Sequence, residues 1–333
     1  MLIGHQRIWD FLQKSAKQNK LAHAYLFVGP AQVGKTTLAL EFVKWLLCEK
    51  NKSSTSFKVL DKNQNRACGQ CKSCLDIAKN QHPDVFVLSP PQFLKGDVLK
   101  SKEIGIDEVR ALQHQLALCS YGAQYKVAII EEAAALSSEA ANSFLKTLEE
   151  PSGQSIIILI SSAWQSILPT IISRCQLIKF GLVPEREITA GLEALSKKKT
   201  DFKKAVKLAA GQPGRAIKLL TEPDFLAEQE KNLEKLEKLL KSDLAWRFAR
   251  AQELAQNTPQ TQEVLAQWLV WLRDRVLESS GRPDLMIGDS AERPKYQTNQ
   301  LVRACREIQK TKTILSNTSF NARLALEVLM LKI

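Results

Sequence analysis

Residues Gly29-Pro30-Ala31-Gln32-Val33-Gly34-Lys35-Thr36 satisfy the pattern G-x-x-x-x-G-K-[ST] at every fixed position. No other stretch restricts the possible folds as tightly, because the pattern carries meaning only between a strand and a helix. Both are present. Residues 24–28 form a short apolar, aromatic and β-branched run that reads as a buried strand. Beyond the loop, Leu38, Phe42, Val43 and Leu46 recur at helical spacing over 37–47. Glycines in such a loop let the backbone turn so that successive N–H groups face an anion, and the helix N-terminus adds partial positive charge. Lys35 is placed to reach the β- and γ-phosphates of a nucleotide, and the Thr36 hydroxyl to hold Mg²⁺. Gly29, Gly34, Lys35, Thr36 and Thr37 are the candidate nucleotide-binding residues. A glycine-rich turn that binds nothing is the competing reading.

Strand and helix signals then alternate. Residues 84–88, 127–130, 155–160 and 177–180 read as further buried strands. Between them, Ile106, Val109, Leu112 and Leu116 keep helical spacing, as do Ala141, Phe144, Leu145 and Leu148 behind a Ser137 N-cap. This alternation predicts an α/β fold over 1–181, a parallel sheet with helices on both faces. The strand at 127–130 ends in Glu131-Glu132. An apolar strand ending in acids, downstream of a phosphate loop, is where such folds place the Mg²⁺-side carboxylate and then the water-activating one. The first is usually Asp. Glu131 is one methylene longer, in a site that needs near-ideal octahedral geometry around Mg²⁺, and Glu132 takes the place of the base. An amphipathic helix is expected within 3–20, with Ile8, Phe11, Leu12 and Ala16 on one face. Residues 49–67 read as a mobile loop or insertion, and 89–102 as a loop.

From Pro184 strand-like runs nearly vanish. Helices are expected at 202–208 and 214–220 around a turn at 211–214, then at 225–240, through Trp246, through Trp268 and Trp271, and at 300–315 and 322–332. The tryptophans at helical spacing are expected in a core rather than as a base-stacking platform. Residues 279–296 read as a long loop.

Cys68, Cys71 and Cys74 form a C-x₂-C-x₂-C string, with Cys48 upstream at the end of the first long helix. Three thiolates at that spacing share one ion and a fourth completes a tetrahedron, so Cys48, Cys68, Cys71 and Cys74 are the candidate Zn²⁺ ligands. An iron–sulfur cluster is the rival, but no cysteine follows three residues after Cys74 and no Cys-Pro is present. A redox C-x-x-C pair is disfavoured because neither pair opens a strand-linked helix. Cys119, Cys175 and Cys305 stand alone and are expected to be small buried apolar residues. Seven cysteines in a 333-residue chain with this clustering suggest metal in a reducing cytosol rather than a disulfide framework. The net charge of +12 suits an anionic partner such as nucleic acid, or simply a solvated basic surface. No N-terminal signal pattern stands out, and the most apolar stretch, 156–172, is broken by serines, Gln165 and Pro169, so no membrane role is expected.

Several strings together resemble bacterial clamp-loader ATPases of the AAA+ class, those of DNA polymerase III. They are His23-Ala-Tyr-Leu-Phe-Val-Gly-Pro30, the phosphate loop, the cysteine string, His82-Pro-Asp84, Asn142-Ser-Phe-Leu-Lys-Thr-Leu-Glu-Glu-Pro151, Ile172-Ser-Arg-Cys175 and Gly211-Gln-Pro-Gly-Arg215-Ala. The segment 317–331 is similar to the end of the family's C-terminal collar. The resemblance implies three parts: an AAA+ nucleotide-binding domain, 1–181, with a zinc module at 48–74; a helical lid, 182–221; and a helical collar for oligomerisation, 222–333. It implies that Arg174 is an arginine finger acting in trans on a neighbour's γ-phosphate, that Arg215 is a second sensor acting in cis, and that Ser161 or Ser162 is the first sensor. ATP with Mg²⁺ and Zn²⁺ are the implied cofactors. Gamma/tau and delta subunits, the sliding clamp and primed DNA are the implied partners, in the cytoplasm. The acid pair Glu131-Glu132 and the 104–110 helix resemble the delta-prime branch, whose own hydrolysis would be weak or absent. The intact phosphate loop keeps the gamma/tau motor branch open. An autonomous motor of the branch-migration type and a small-molecule kinase are the other classes, and the cysteine module and helical C-terminal third argue against the kinase.

Overall fold

The computed structural model describes residues 2–51, 66–95, 98–101, 103–122, 124–151, 153–195, 202–282, 285–286, 297–315 and 320–333. Most of the expected loops at 49–67 and 279–296 lies outside the described residues. The chain divides into two units, residues 1–199 with 211–214 and residues 200–210 with 215–333.

The first unit is built on strands β1 (Ala24–Val28), β2 (Val85–Leu88), β3 (Gln92–Lys95), β4 (Val98–Ser101), β5 (Lys126–Ile130), β6 (Ser155–Ser161) and β7 (Gln176–Lys179). Five of them form one sheet in the order β2-β5-β6-β1-β7, and every pair in it is parallel. Strands covered on both faces read as near-continuous apolar runs, and all of β1, β5 and β6 is buried, with polar side chains only at the strand ends Lys126, Ser155 and Ser161. The pleat sorts their side chains. Tyr25, Phe27, Val127, Ile129, Ile156, Ile158 and Ile160 share a core with Trp9 and Leu12 of the helix Gln6–Lys17 and Phe42 and Trp45 of the helix Lys35–Leu47. Ala24, Leu26, Val28, Ala128, Ile130, Ile157 and Leu159 pack on the other face against Val109 and Leu112 of Ile106–Ala117 and Phe144 and Leu148 of Ser138–Glu149. The α/β expectation therefore holds, with helices on both faces.

Three expectations need correction. In the first helix the buried stripe is Trp9, Leu12, Gln13 and Ala16, and Phe11 is exposed. Trp9 meets Trp45 edge-on at 6.3 Å between ring centroids, and Phe11 sits about 100° round the helix from Leu12, off that stripe. The stretch read as a loop at 89–102 contains an antiparallel pair, β3 with β4, in register Gln92↔Ser101 and Leu94↔Leu99. Cys119 is exposed rather than buried, because it lies just past the helix ending at Ala117 in an exposed run, 118–122, whereas Cys175 and Cys305 are half-buried against the apolar cores.

Among its described residues, the second unit has only helices as secondary structure, with no strand. Its core gathers Leu236 and Leu239 from Pro223–Lys241, Leu254 from Leu244–Ala255, Trp268, Trp271 and Leu272 from Thr258–Ser279, Ile308 from Thr298–Leu315, and Leu326, Leu329 and Met330 from Ala322–Lys332. Trp268 is fully buried and its Nε1–H donates to the Asn232 carbonyl at 3.3 Å. Trp268 and Trp271 are core, as their spacing implies, and Trp246 packs half-buried against it. No helix of the described residues is long and apolar enough to cross a membrane.

Candidate nucleotide site, surface arginine and metal centre

In a parallel sheet all strands end on the same edge, so residues just past different strands meet there. Gly29 follows β1, Ser89 lies just past β2, Glu131 follows β5 and Ser162 follows β6. The loop after β1 needs unusual backbone: Gly29 stands at φ 151°, Gln32 at 58° and Gly34 at 102°. A Cβ at Gly29 would collide with the Phe180 carbonyl oxygen and lie 2.9 Å from the Phe180 Cβ, so only glycine lets the loop pass this closely. Gly34 N-caps the helix Lys35–Leu47, and nothing lies within 4 Å of where its Cβ would be. The first backbone bond at this helix start runs from the Leu38 N–H to the Gly34 carbonyl at 2.9 Å. The amides before Leu38 are helix-start amides without intrahelical acceptors, which suits an anion.

Lys35 is buried, with Nζ donating to the loop carbonyls of Gly29 at 2.8 Å and Pro30 at 2.7 Å. Burial pulls its ammonium below the usual lysine range, and the Glu132 carboxylate partly offsets that. His5 closes the loop from outside the motif, its Nε2–H donating to the Val33 carbonyl at 2.9 Å. Burial lowers its imidazole, partly countered by that same bond. The acids each receive a hydroxyl: Ser89 Oγ donates to Glu131 at 2.6 Å and Ser162 Oγ donates to Glu132 at 3.1 Å. Glu132 sits in the left-handed region, φ 46°. Of the two serines at the end of β6, Ser162 faces the acid, whereas buried Ser161 accepts the Ala163 N–H. Sequence reasoning misses Ser89 and His5, because nothing local in either marks a partner far along the chain.

Arg174 follows the short helix Pro169–Ile172 and is exposed enough to meet another molecule, its side chain 34% accessible. Its Nε donates to Glu149 at 2.9 Å, Nη2 donates to the same carboxylate oxygen, and Nη1 donates to the Thr170 carbonyl at 2.9 Å. In the second unit, Arg215 Nη2 donates to Gln229 at 2.5 Å while its Nε is buried without a partner. Burial lowers this guanidinium, and Glu263 raises it in part.

Cys48, Cys68, Cys71 and Cys74 converge, with all four sulfurs within 4.8 Å of one another and Cys48 4.0 Å from Cys71. A tetrahedron of bonds near 2.3 Å has sulfurs roughly 3.8 Å apart, so the set fits a single four-sulfur ion. Cys48 ends the helix Lys35–Leu47, and Cys71 N-caps Lys72–Ala78. Backbone N–H groups of Gln70 and Cys71 point at the Cys68 sulfur and bring its thiol down to about 6. Burial pushes Cys48 and Cys74 up. Glu49 accepts both the N–H and the hydroxyl of Ser73, pinning the knuckle to the end of the long helix.

The chain is similar to known proteins. A curated delta-prime subunit of DNA polymerase III from Pseudomonas aeruginosa is 38% identical over 170 residues, 51% of this chain and 45% of that protein. The tau subunit of DNA polymerase III from Bacillus subtilis is 31% identical over 194 residues, 58% of this chain and 31% of that protein. The chain thus spans less than half the length of either. A solved gamma-subunit-related protein of DNA polymerase III from Thermotoga maritima is 18% identical, covers 96% of this chain and 97% of its own, and superposes with a TM-score of 0.43. The family profile described as "DNA polymerase III, delta subunit" matches residues 4–183, more than half of the 333 residues and the whole of the sheet, phosphate loop, cysteine set and Arg174. The chain belongs to that DNA polymerase III delta-subunit family.

Proposed function

We propose that this chain is a delta-prime subunit of a DNA polymerase III clamp loader. It assembles beside gamma/tau and delta subunits and assists ATP-dependent loading of the sliding clamp on primed DNA in the cytoplasm. Residues 1–181 serve as the AAA+ domain with a four-cysteine zinc module at 48–74, 182–221 as the lid and 222–333 as the oligomerising collar. Gly29, Gly34, Lys35, Thr36 and Thr37 bind ATP, with Mg²⁺ on Thr36, and Cys48, Cys68, Cys71 and Cys74 hold Zn²⁺. Glu131 and Glu132 occupy the acid positions, Ser162 the first-sensor position, and Arg215 serves as the second sensor.

The observation that carries the reading is Arg174, a guanidinium held at the surface in the middle of Ser173-Arg174-Cys175. A guanidinium fork matches phosphate oxygens in two places and stays charged, so it suits a neighbour's γ-phosphate. Such fingers change rates by orders of magnitude. Arg174→Ala is expected to cut the ATPase of the assembled complex at the site it serves while leaving assembly intact. Turnover equal to wild type removes the role. The complete phosphate loop and the similarity to tau favour one alternative, a gamma/tau-like motor that hydrolyses ATP itself.

A further inference from the structure

The geometry points to Glu149 as the positioning residue of Arg174, a carboxylate that fixes the plane of the guanidinium before a neighbour's nucleotide arrives. The inference rests on the reading of Arg174 as a trans finger. Two strings 25 residues apart meet in this contact. One is Leu148-Glu149-Glu150-Pro151 at the end of the helix Ser138–Glu149, and the other is Ser173-Arg174-Cys175 after Pro169–Ile172. Glu149 takes the Nε–Nη2 edge of the fork on one oxygen. The Thr170 carbonyl takes Nη1 at 2.9 Å, with Ser173 Oγ at 3.4 Å from the same nitrogen. Contacts on three nitrogens of a rigid five-donor group fix its orientation, yet a third of the side chain stays open to solvent.

Stability does not explain the placement. A carboxylate in the last turn of a helix opposes the helix dipole, and an exposed ion pair adds little; the partners here are 34% and 51% accessible. Orientation does explain it. A long flexible side chain that must meet a phosphate in one pose loses rate steeply when misplaced, by as much as about a hundredfold for an ångström. Sequence alone gives Glu149 no role, because it does not show that this helix end faces the short helix before Arg174.

The test uses the full chain assembled with gamma/tau and delta subunits, with ATP turnover and gel-filtration assembly measured together. Glu149→Ala is expected to lower kcat at the served site by roughly tenfold to a hundredfold with KM for ATP unchanged. Glu149→Gln, which keeps an acceptor oxygen, is expected to restore most of that loss. The double variant with Arg174→Ala is expected to be no slower than Arg174→Ala alone, because both changes remove one device. Wild-type kcat in Glu149→Ala beside an impaired Arg174→Ala overturns the positioning role and leaves the finger standing. Additive losses, or a Glu149→Ala complex that fails to assemble, overturn it as well. Wild-type kcat in Arg174→Ala overturns both readings.

Discussion

Gly29 shows how one backbone angle carries the glycine loop after β1. Its φ of 151° and the collision that a Cβ would make with the Phe180 carbonyl leave it intolerant of any side chain. Gly29→Ala is expected to destabilise the first unit by about 1–3 kcal/mol, through strained backbone and overpacking together. The urea midpoint of unfolding reads this; an unchanged midpoint means the loop moves aside freely. Gly34 is different, since open space surrounds it and only its φ of 102° requires glycine. Lys35, Glu131, Glu132 and the four clustered cysteines are legible as residues, because their spacing marks them. Their partners are not. Ser89, His5 and Glu149 are ordinary in sequence, and only the strand order and helix ends bring them to Glu131, Val33 and Arg174.

The cysteine module joins two helices, one ending at Cys48 and one capped by Cys71. An ion held by all four sulfurs would tie those ends together, and binding free energy of that kind acts as folding free energy. The chain purified in reducing buffer is expected to carry equimolar zinc. Cys74→Ala is expected to lose the metal and to lower hydrogen-exchange protection over 66–78, where Cys74 is buried beneath the knuckle. Iron in the metal analysis, or no metal, counts against the zinc reading. The β3–β4 pair shows the opposite limit of local reading. Its segments are short and flanked by Pro90, Pro91 and lysines, signals that favour a loop, whereas pairing between two four-residue runs produces strands.

At the scale of the whole molecule, catalytic power is expected to belong to the assembly. Glu131 takes a hydroxyl from Ser89 and stands where a shorter acid is usual, and Arg174 lies on the chain's own Glu149. Purified alone, the chain is expected to hydrolyse ATP barely above background, as a phosphate-release assay will read; brisk turnover instead supports the gamma/tau-like motor. Sequence by itself determined the fold class and the loop, since strands buried on both faces read as near-continuous apolar runs and a phosphate loop needs its glycines and lysine at set spacing. It also singled out the helical remainder and the four-cysteine cluster, because periodicity and cysteine spacing are local. Tertiary structure alone decided which serine faces Glu132, which face of the first helix is buried, and which carboxylate holds Arg174. Each of these depends on contacts between residues distant in the chain, and a linear pattern carries no record of such distances.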